Sequence, residues 1–273
     1  MPKATGNWHD VTIAGHSCQY YEPIELSEHN QCVLYLHDLD LRRLQGNMSF
    51  EHQCDLHGLR LLAPQSGPTW WSSRICQEFD TTLSAEAYLL NCVMPQITQR
   101  WKCKPGQVAL LGLGMGGQGA LRIAYKHPNT FPVVAAIKPA IDYQIRLEEG
   151  DQTLARMYND AEDARQDTAT LHIHPLNWPR QQWFCGDPAD YRWYDSVDRL
   201  RMKLHSLGVP FECDLQTSHL NRASENMNPS TDPSTMVRPE AKPVSPPSDY
   251  SDQMVAPAFS FLATALERER LRV

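Results

Sequence analysis

Residues 107–128 read Gln107-Val-Ala-Leu-Leu-Gly112-Leu-Gly114-Met115-Gly116-Gly117-Gln-Gly119-Ala-Leu121-Arg-Ile123-Ala124-Tyr125-Lys-His-Pro128. An apolar run at 108–111 ends at Gly112, and four glycines fall within the next seven residues. Leu121, Ile123, Ala124 and Tyr125 then repeat at helical spacing until Pro128 stops the pattern. The stretch reads as strand, tight turn, helix. That much glycine in one turn implies a positive φ, close helix–strand packing, or a group approaching the backbone.

Two chemistries use this geometry. Gly112, Gly114 and Gly117 satisfy the G-x-G-x-x-G pattern that cradles a dinucleotide pyrophosphate. The same residues also fit a nucleophile elbow, G-x-S-x-G, with Gly114 where the serine would stand. Working outward decides between them. A dinucleotide site belongs on the first βαβ unit with an acid about 20 residues on. Here over a hundred strand-bearing residues precede the glycines, and Asp142 comes too late. An elbow is central and is followed by an acid and then a histidine, each after a strand. Asp190 (or Asp187) follows an apolar run ending at Cys185, and His219 follows the run 209–215.

Around this centre, strands are expected at 11–14, 18–21, 32–36, 59–63, 131–137, 182–185 and 209–215. Helices are expected near 44–52, 84–101, 153–158, 192–206 and 252–271. Ser84 is the expected cap of the second helix, and Pro95 its kink. Trp70 and Trp71 lie in a loop, lining a pocket or packing the sheet edge. Residues 142–180 read as a polar excursion, and 221–249, rich in Ser, Asn, Pro and Asp, as a disordered surface insertion. The alternation predicts an α/β fold with a mainly parallel sheet covered on both faces, as one domain spanning 1–273.

The 273 residues carry a formal charge of −7 and a pI near 5.9. With no basic cluster, neither nucleic acid nor an anionic membrane is an expected partner. The N-terminus lacks an apolar leader, so a cytoplasmic protein is the expectation. Eight cysteines without a C-x-x-C pair read as buried thiols rather than a disulfide framework. His172, His174 and His205 lack metal-ligand spacing, so neither a metal nor any other cofactor is expected.

The run Gly112-x-Gly114-Met115-Gly116-Gly117-x-Gly119-Ala120-Leu121, with Lys126-His127-Pro128 and Phe131 behind it, resembles the putative-esterase branch of the α/β-hydrolases. That branch includes S-formylglutathione hydrolase, feruloyl esterases and mycolyltransferases, and the resemblance covers most of the chain. It implies Gly114 at the nucleophile position, Asp190 as the acid and His219 as the base. It also implies an oxyanion hole from the amides of Met115 and Leu39. The departures fall at the chemistry. The serine is glycine, the usual His-Gly of the oxyanion loop is His37-Asp38, and the usual Gly-Gly-His is Thr217-Ser218-His219. The resemblance therefore implies a hydrolase-like protein whose serine carboxylesterase activity is lost or strongly impaired, with a small ester-like molecule as ligand. Two alternatives stand beside it. One is an active ester or thioester hydrolase with a relocated nucleophile (Ser66, Ser72, Ser73 or Cys185) or a His219-activated water. The other is a nucleotide-binding protein using Gly112, Gly114 and Gly117.

Overall fold

A hairpin opens the chain, β1 (Asn7–Ile13) pairing antiparallel with β2 (His16–Glu22). The computed structural model describes residues 5–219 and 249–272. After the hairpin come β3 (Cys32–Leu36), α1 (Met48–His57) and β4 (Arg60–Pro64). Then follow α2 (Ala85–Tyr88), a π-helical turn (Leu89–Val93) and α3 (Met94–Trp101). The expected single helix over 84–101 is thus three pieces. Ser84 accepts the Ala87 N–H as its cap. Pro95 lies in the first turn of α3, where its missing N–H costs no ladder bond, and the π turn before it absorbs the break.

The centre follows as read: β5 (Val108–Leu113), α4 (Met115–Lys126) and β6 (Val133–Ile137). The excursion holds three short helices, α5 (Gln144–Glu148), α6 (Gln152–Met157) and α7 (Ala161–Gln166), where one was expected. β7 (Gln181–Cys185), α8 (Tyr194–Ser206), β8 (Glu212–Asp214) and the long α9 (Asp249–Arg270) complete the order. The expected insertion at 221–249 lies, but for its last residue, outside the described residues.

The eight strands among the described residues form one sheet in the order β1-β2-β4-β3-β5-β6-β7-β8, parallel from β4 to β8. The expected α/β-hydrolase arrangement is borne out. Alternate residues of a strand enter opposite cores. Cys32, Leu34 and Leu36 of β3 join Leu121, Ile123 and Ala124 of α4, while Val33 and Tyr35 join Phe50 of α1 and Phe259 and Leu262 of α9. Burial on both faces explains why the central strands read as unbroken apolar runs. The chain leaves β3 toward β4 on one side and leaves β5 toward β6 on the other. The crevice at their carboxyl ends is therefore the switch point, where open α/β sheets bind ligands.

Candidate active site at the sheet switch point

Gly114 joins β5 to α4 with φ 53° and ψ −112°, the sharp turn expected of an elbow. Gly116 serves packing instead: a Cβ there would lie 1.9 Å from the Leu36 carbonyl oxygen, so any side chain would lift α4 off β3. β3 and β5 pair with Leu36 opposite Gly112, and two residues beyond each, Asp38 meets Gly114. The Asp38 carboxylate occupies the space over the glycine. A Cβ on Gly114 would come within 2.3 Å of its Cγ and both oxygens.

The Leu39 N–H donates to Asp38 Oδ1 at 2.7 Å, and the Met115 N–H donates to the same atom at 2.8 Å. The two amides expected to receive a developing oxyanion thus converge on one point, and a carboxylate oxygen of the protein fills it. Oδ2 has no hydrogen bond to the described residues. Burial pushes the Asp38 carboxyl above its ordinary range, although both amides and the Lys138 charge act against that.

The loop carrying Asp38 is fixed from below. His37 Nε2 accepts the Ser66 N–H at 3.0 Å, so Nδ1 carries the proton and donates to the Asp38 carbonyl at 2.8 Å. Burial lowers the His37 pKa, which favours this neutral form. Trp71 Nε1 donates to the His37 carbonyl at 3.2 Å. Trp70 and Trp71 are fully buried, so they pack this loop and the sheet rather than line a pocket.

His219 is reached two ways from sequence, with Asp190 as the expected partner and Asp187 as the alternative. The structure pairs it with Asp187: the hydrogen bond joins His219 Nδ1 to Asp187 Oδ2. Asp190 instead forms an ion pair with Lys138, 3.1 Å away. Asp187 stands two residues past β7 on the side facing β8, the strand that leads to His219. By residue 190 the loop has turned back toward β6, where Lys138 follows. Burial would raise the Asp187 carboxyl. The bonds from His219, the Ala189 N–H and Ser218 outweigh it and hold the group below the usual carboxylate range.

Among the described residues, none of the substitute nucleophiles hydrogen-bonds to His219, whose ring pairs with Asp187. Ser66 and Ser72 are fully buried in the 66–74 loop, and the Ser73 hydroxyl accepts from Arg122 Nη2 at 3.0 Å. Burial pushes the Cys185 thiol up to about 12, where it stays protonated near neutral pH. All eight cysteines are free, six of them buried.

A cleft of about 350 Å³ opens above Gly114, lined by Asp38, Lys138, Ala140, Arg146, Arg192 and Trp193 among others. Lys138 holds φ 48°, a left-handed conformation uncommon for a side-chain-bearing residue, and was not singled out from sequence. Its backbone N–H donates to the Cys185 carbonyl, which ties the turn to β7. Behind the elbow, Arg122 of α4 is buried between Glu86 of α2 and Asp167 of the excursion, with Asp167 Oδ1 at 2.5 Å from Nη2. Among the described residues no helix is long and apolar enough to cross a membrane.

The profile of a family described as "Putative esterase" matches residues 70–206, just over half of the chain. No curated protein matches the sequence. Solved structures share the fold at low identity. A substrate-bound fluorophosphonate-binding serine hydrolase of Staphylococcus aureus is 12% identical with a TM-score of 0.67, over 95% of this chain and 99% of that one. An S-formylglutathione hydrolase of the same organism, an apoenzyme, is 12% identical with a TM-score of 0.67, over 94% and 98%. One from Agrobacterium tumefaciens is 13% identical with a TM-score of 0.61, over 98% and 94%.

Proposed function

The chain belongs to the "Putative esterase" family and has the α/β-hydrolase fold, and from that premise we propose that it does not run a serine esterase reaction. In this reading Gly114 stands at the nucleophile position, and the cleft above it serves a small molecule. The observation that carries the reading is Asp38 Oδ1, held by both the Leu39 and Met115 amides.

A serine hydrolase needs a hydroxyl on the elbow, a base to take its proton, and free N–H donors for the tetrahedral oxyanion. Gly114 supplies no hydroxyl. The donors are engaged by a fixed anion, which also repels charge developing on a substrate oxygen. Losing one such donor costs about 10²–10³ in kcat, so two occupied donors make serine turnover negligible even before the missing nucleophile is counted. The His219–Asp187 pair stays assembled, with His219 in the role of base and Asp187 as its orienting acid.

Two observations weigh against the alternatives. The burial of Ser66 and Ser72, the bond from Arg122 to the Ser73 hydroxyl and the raised pKa of the buried Cys185 thiol argue against a relocated serine or thiol nucleophile. An anionic side chain already sits at the N-terminus of α4, where a pyrophosphate would approach, which argues against nucleotide binding.

Hydrolysis of p-nitrophenyl acetate tests the reading. The unmodified protein and Gly114→Ser are expected to stay near the buffer rate: the first lacks a hydroxyl, and in the second the Asp38 carboxylate, pushed from its seat by the new Cβ but still beside the donors, repels the developing oxyanion. The double variant Gly114→Ser with Asp38→Gly is expected to turn over. Rapid turnover by the unmodified protein, abolished by His219→Ala, overturns the reading.

A further inference from the structure

Asp38 has one oxygen fixed and the other unengaged. Oδ1 is held by two backbone N–H groups, while Oδ2 has no hydrogen bond to the described residues and its residue lines the cleft. That is the arrangement a carboxylate nucleophile requires. The fixed oxygen orients the group, the other presents a lone pair, and the absence of a side chain on Gly114 makes the room. We propose that Asp38 is itself the nucleophile of this site, and that the cleft takes a small molecule with an sp3 carbon bearing an anionic leaving group, such as a primary alkyl halide. The inference rests on the reading that the serine route is absent, since a serine on Gly114 would exclude Asp38 from its place.

The electrophile class follows from leaving-group chemistry. A carboxylate that adds to an ester carbonyl is expelled again in preference to the much more basic alkoxide. Displacement at an sp3 carbon has no such return path, because the halide leaves and a stable alkyl ester remains. Lys138, Arg146 and Arg192 line the same cleft beside Asp190, and their N–H groups are the donors at hand for the departing anion. In the resting state they are ion-paired with Asp190, Asp151 and Glu149, respectively.

The steps balance as follows. Asp38 Oδ2 attacks the carbon, the C–O bond forms and the carbon–halogen bond breaks with its electron pair leaving on the halide. The product is an alkyl ester of Asp38. Nδ1 of His219 is engaged by Asp187, which leaves Nε2 to take a proton from water. The hydroxide adds to Asp38 Cγ, and the charge moves onto Oδ1, where the Leu39 and Met115 amides already converge. Collapse breaks the Cγ–Oδ2 bond, and the alkoxide receives its proton from His219. The sum is alkyl halide plus water giving alcohol, halide and a proton. The amides that hold the resting carboxylate are then the oxyanion hole of the second step.

The test uses 1-bromobutane with the unmodified full chain, Asp38→Asn and His219→Ala. Bromide release is expected from the unmodified protein and is expected to fall to the no-protein rate in Asp38→Asn, whose side-chain oxygen still accepts both N–H groups. His219→Ala is expected to release one equivalent and to retain a butyl ester, located at Asp38 by peptide mass. A single turnover in H₂¹⁸O is expected to put the label into the Asp38 carboxyl, and this needs no variant to fold. Bromide release equal to the no-protein rate, a butyl group on another residue, or label absent from Asp38 overturns the proposal. Turnover of p-nitrophenyl acetate by the unmodified protein is a separate result, and it strikes the serine reading instead.

Discussion

The Asp38 carboxylate and a Cβ on residue 114 cannot share the same space, since the two would lie 2.3 Å apart at three carboxylate atoms. Positions 38 and 114 are therefore energetically coupled. Gly114→Ala in the presence of Asp38 is expected to cost about 1–3 kcal/mol from overpacking, in addition to the strain of a positive φ. The strain is common to both backgrounds and cancels in a double-mutant cycle with Asp38→Gly, which leaves the steric and electrostatic clash as the coupling energy. Urea unfolding of the four proteins measures it. Additive effects would show that Asp38 swings aside freely.

The elbow was legible because it uses two strong local signals, an apolar run ending in glycine and a helical repeat ending in proline. The sheet was legible because strands buried on both faces cannot alternate. What fills the donors was not legible. Sequence places a carboxylate after β3, and the unusual His37-Asp38 pair marks it. Its seat over Gly114, however, depends on the Leu36–Gly112 register and on one side-chain rotamer, both tertiary quantities. Asp187 and Asp190 are separated by one tight turn, so their spacing gave no ranking. The structure ranks them through the strands that neighbour β7, β8 on one side and β6 on the other.

That ranking predicts unequal effects on chemistry. In the Gly114→Ser, Asp38→Gly background, Asp187→Asn is expected to lower kcat by about 10⁴-fold, as loss of the orienting carboxylate does in serine triads. Asp190→Asn is expected to be far milder, because it removes only the ion pair with Lys138. Ester hydrolysis by both variants decides it, and equal losses would return Asp190 to consideration.

Acid should loosen the packing behind the elbow. Burial raises Glu86 and Asp167, yet Glu86's bonds to His127, Arg122 and Lys126, and Asp167's to His172, Arg122 and Tyr158, hold both carboxyls below their ordinary range. A depressed folded-state pKa contributes stability above the unfolded value, and that stability is lost as pH falls through the folded one. Arg122→Met leaves these carboxylates without their shared guanidinium and is expected to cost about 3–5 kcal/mol at neutral pH. The variant's stability is expected to change less between pH 7 and pH 3 than the unmodified protein's. Urea midpoints at both values test this, and a parallel fall in the two proteins would deny the Arg122 pairing its role.

Thiol reactivity separates Asp38 from the remaining rival nucleophile. Cys92 and Cys213 are half-buried and the other six cysteines are buried. A disulfide reagent at pH 7 is accordingly expected to titrate two thiols in the native protein and eight after unfolding. Cys185 stands at the end of β7, two residues before Asp187, yet burial pushes its pKa up to about 12, so the thiol stays protonated near neutral pH. Blocking the two accessible thiols should leave bromide release unchanged, because neither touches the cleft. Fast labelling at Cys185, with loss of that release, would instead make the thiol the reacting group and Asp38 a bystander.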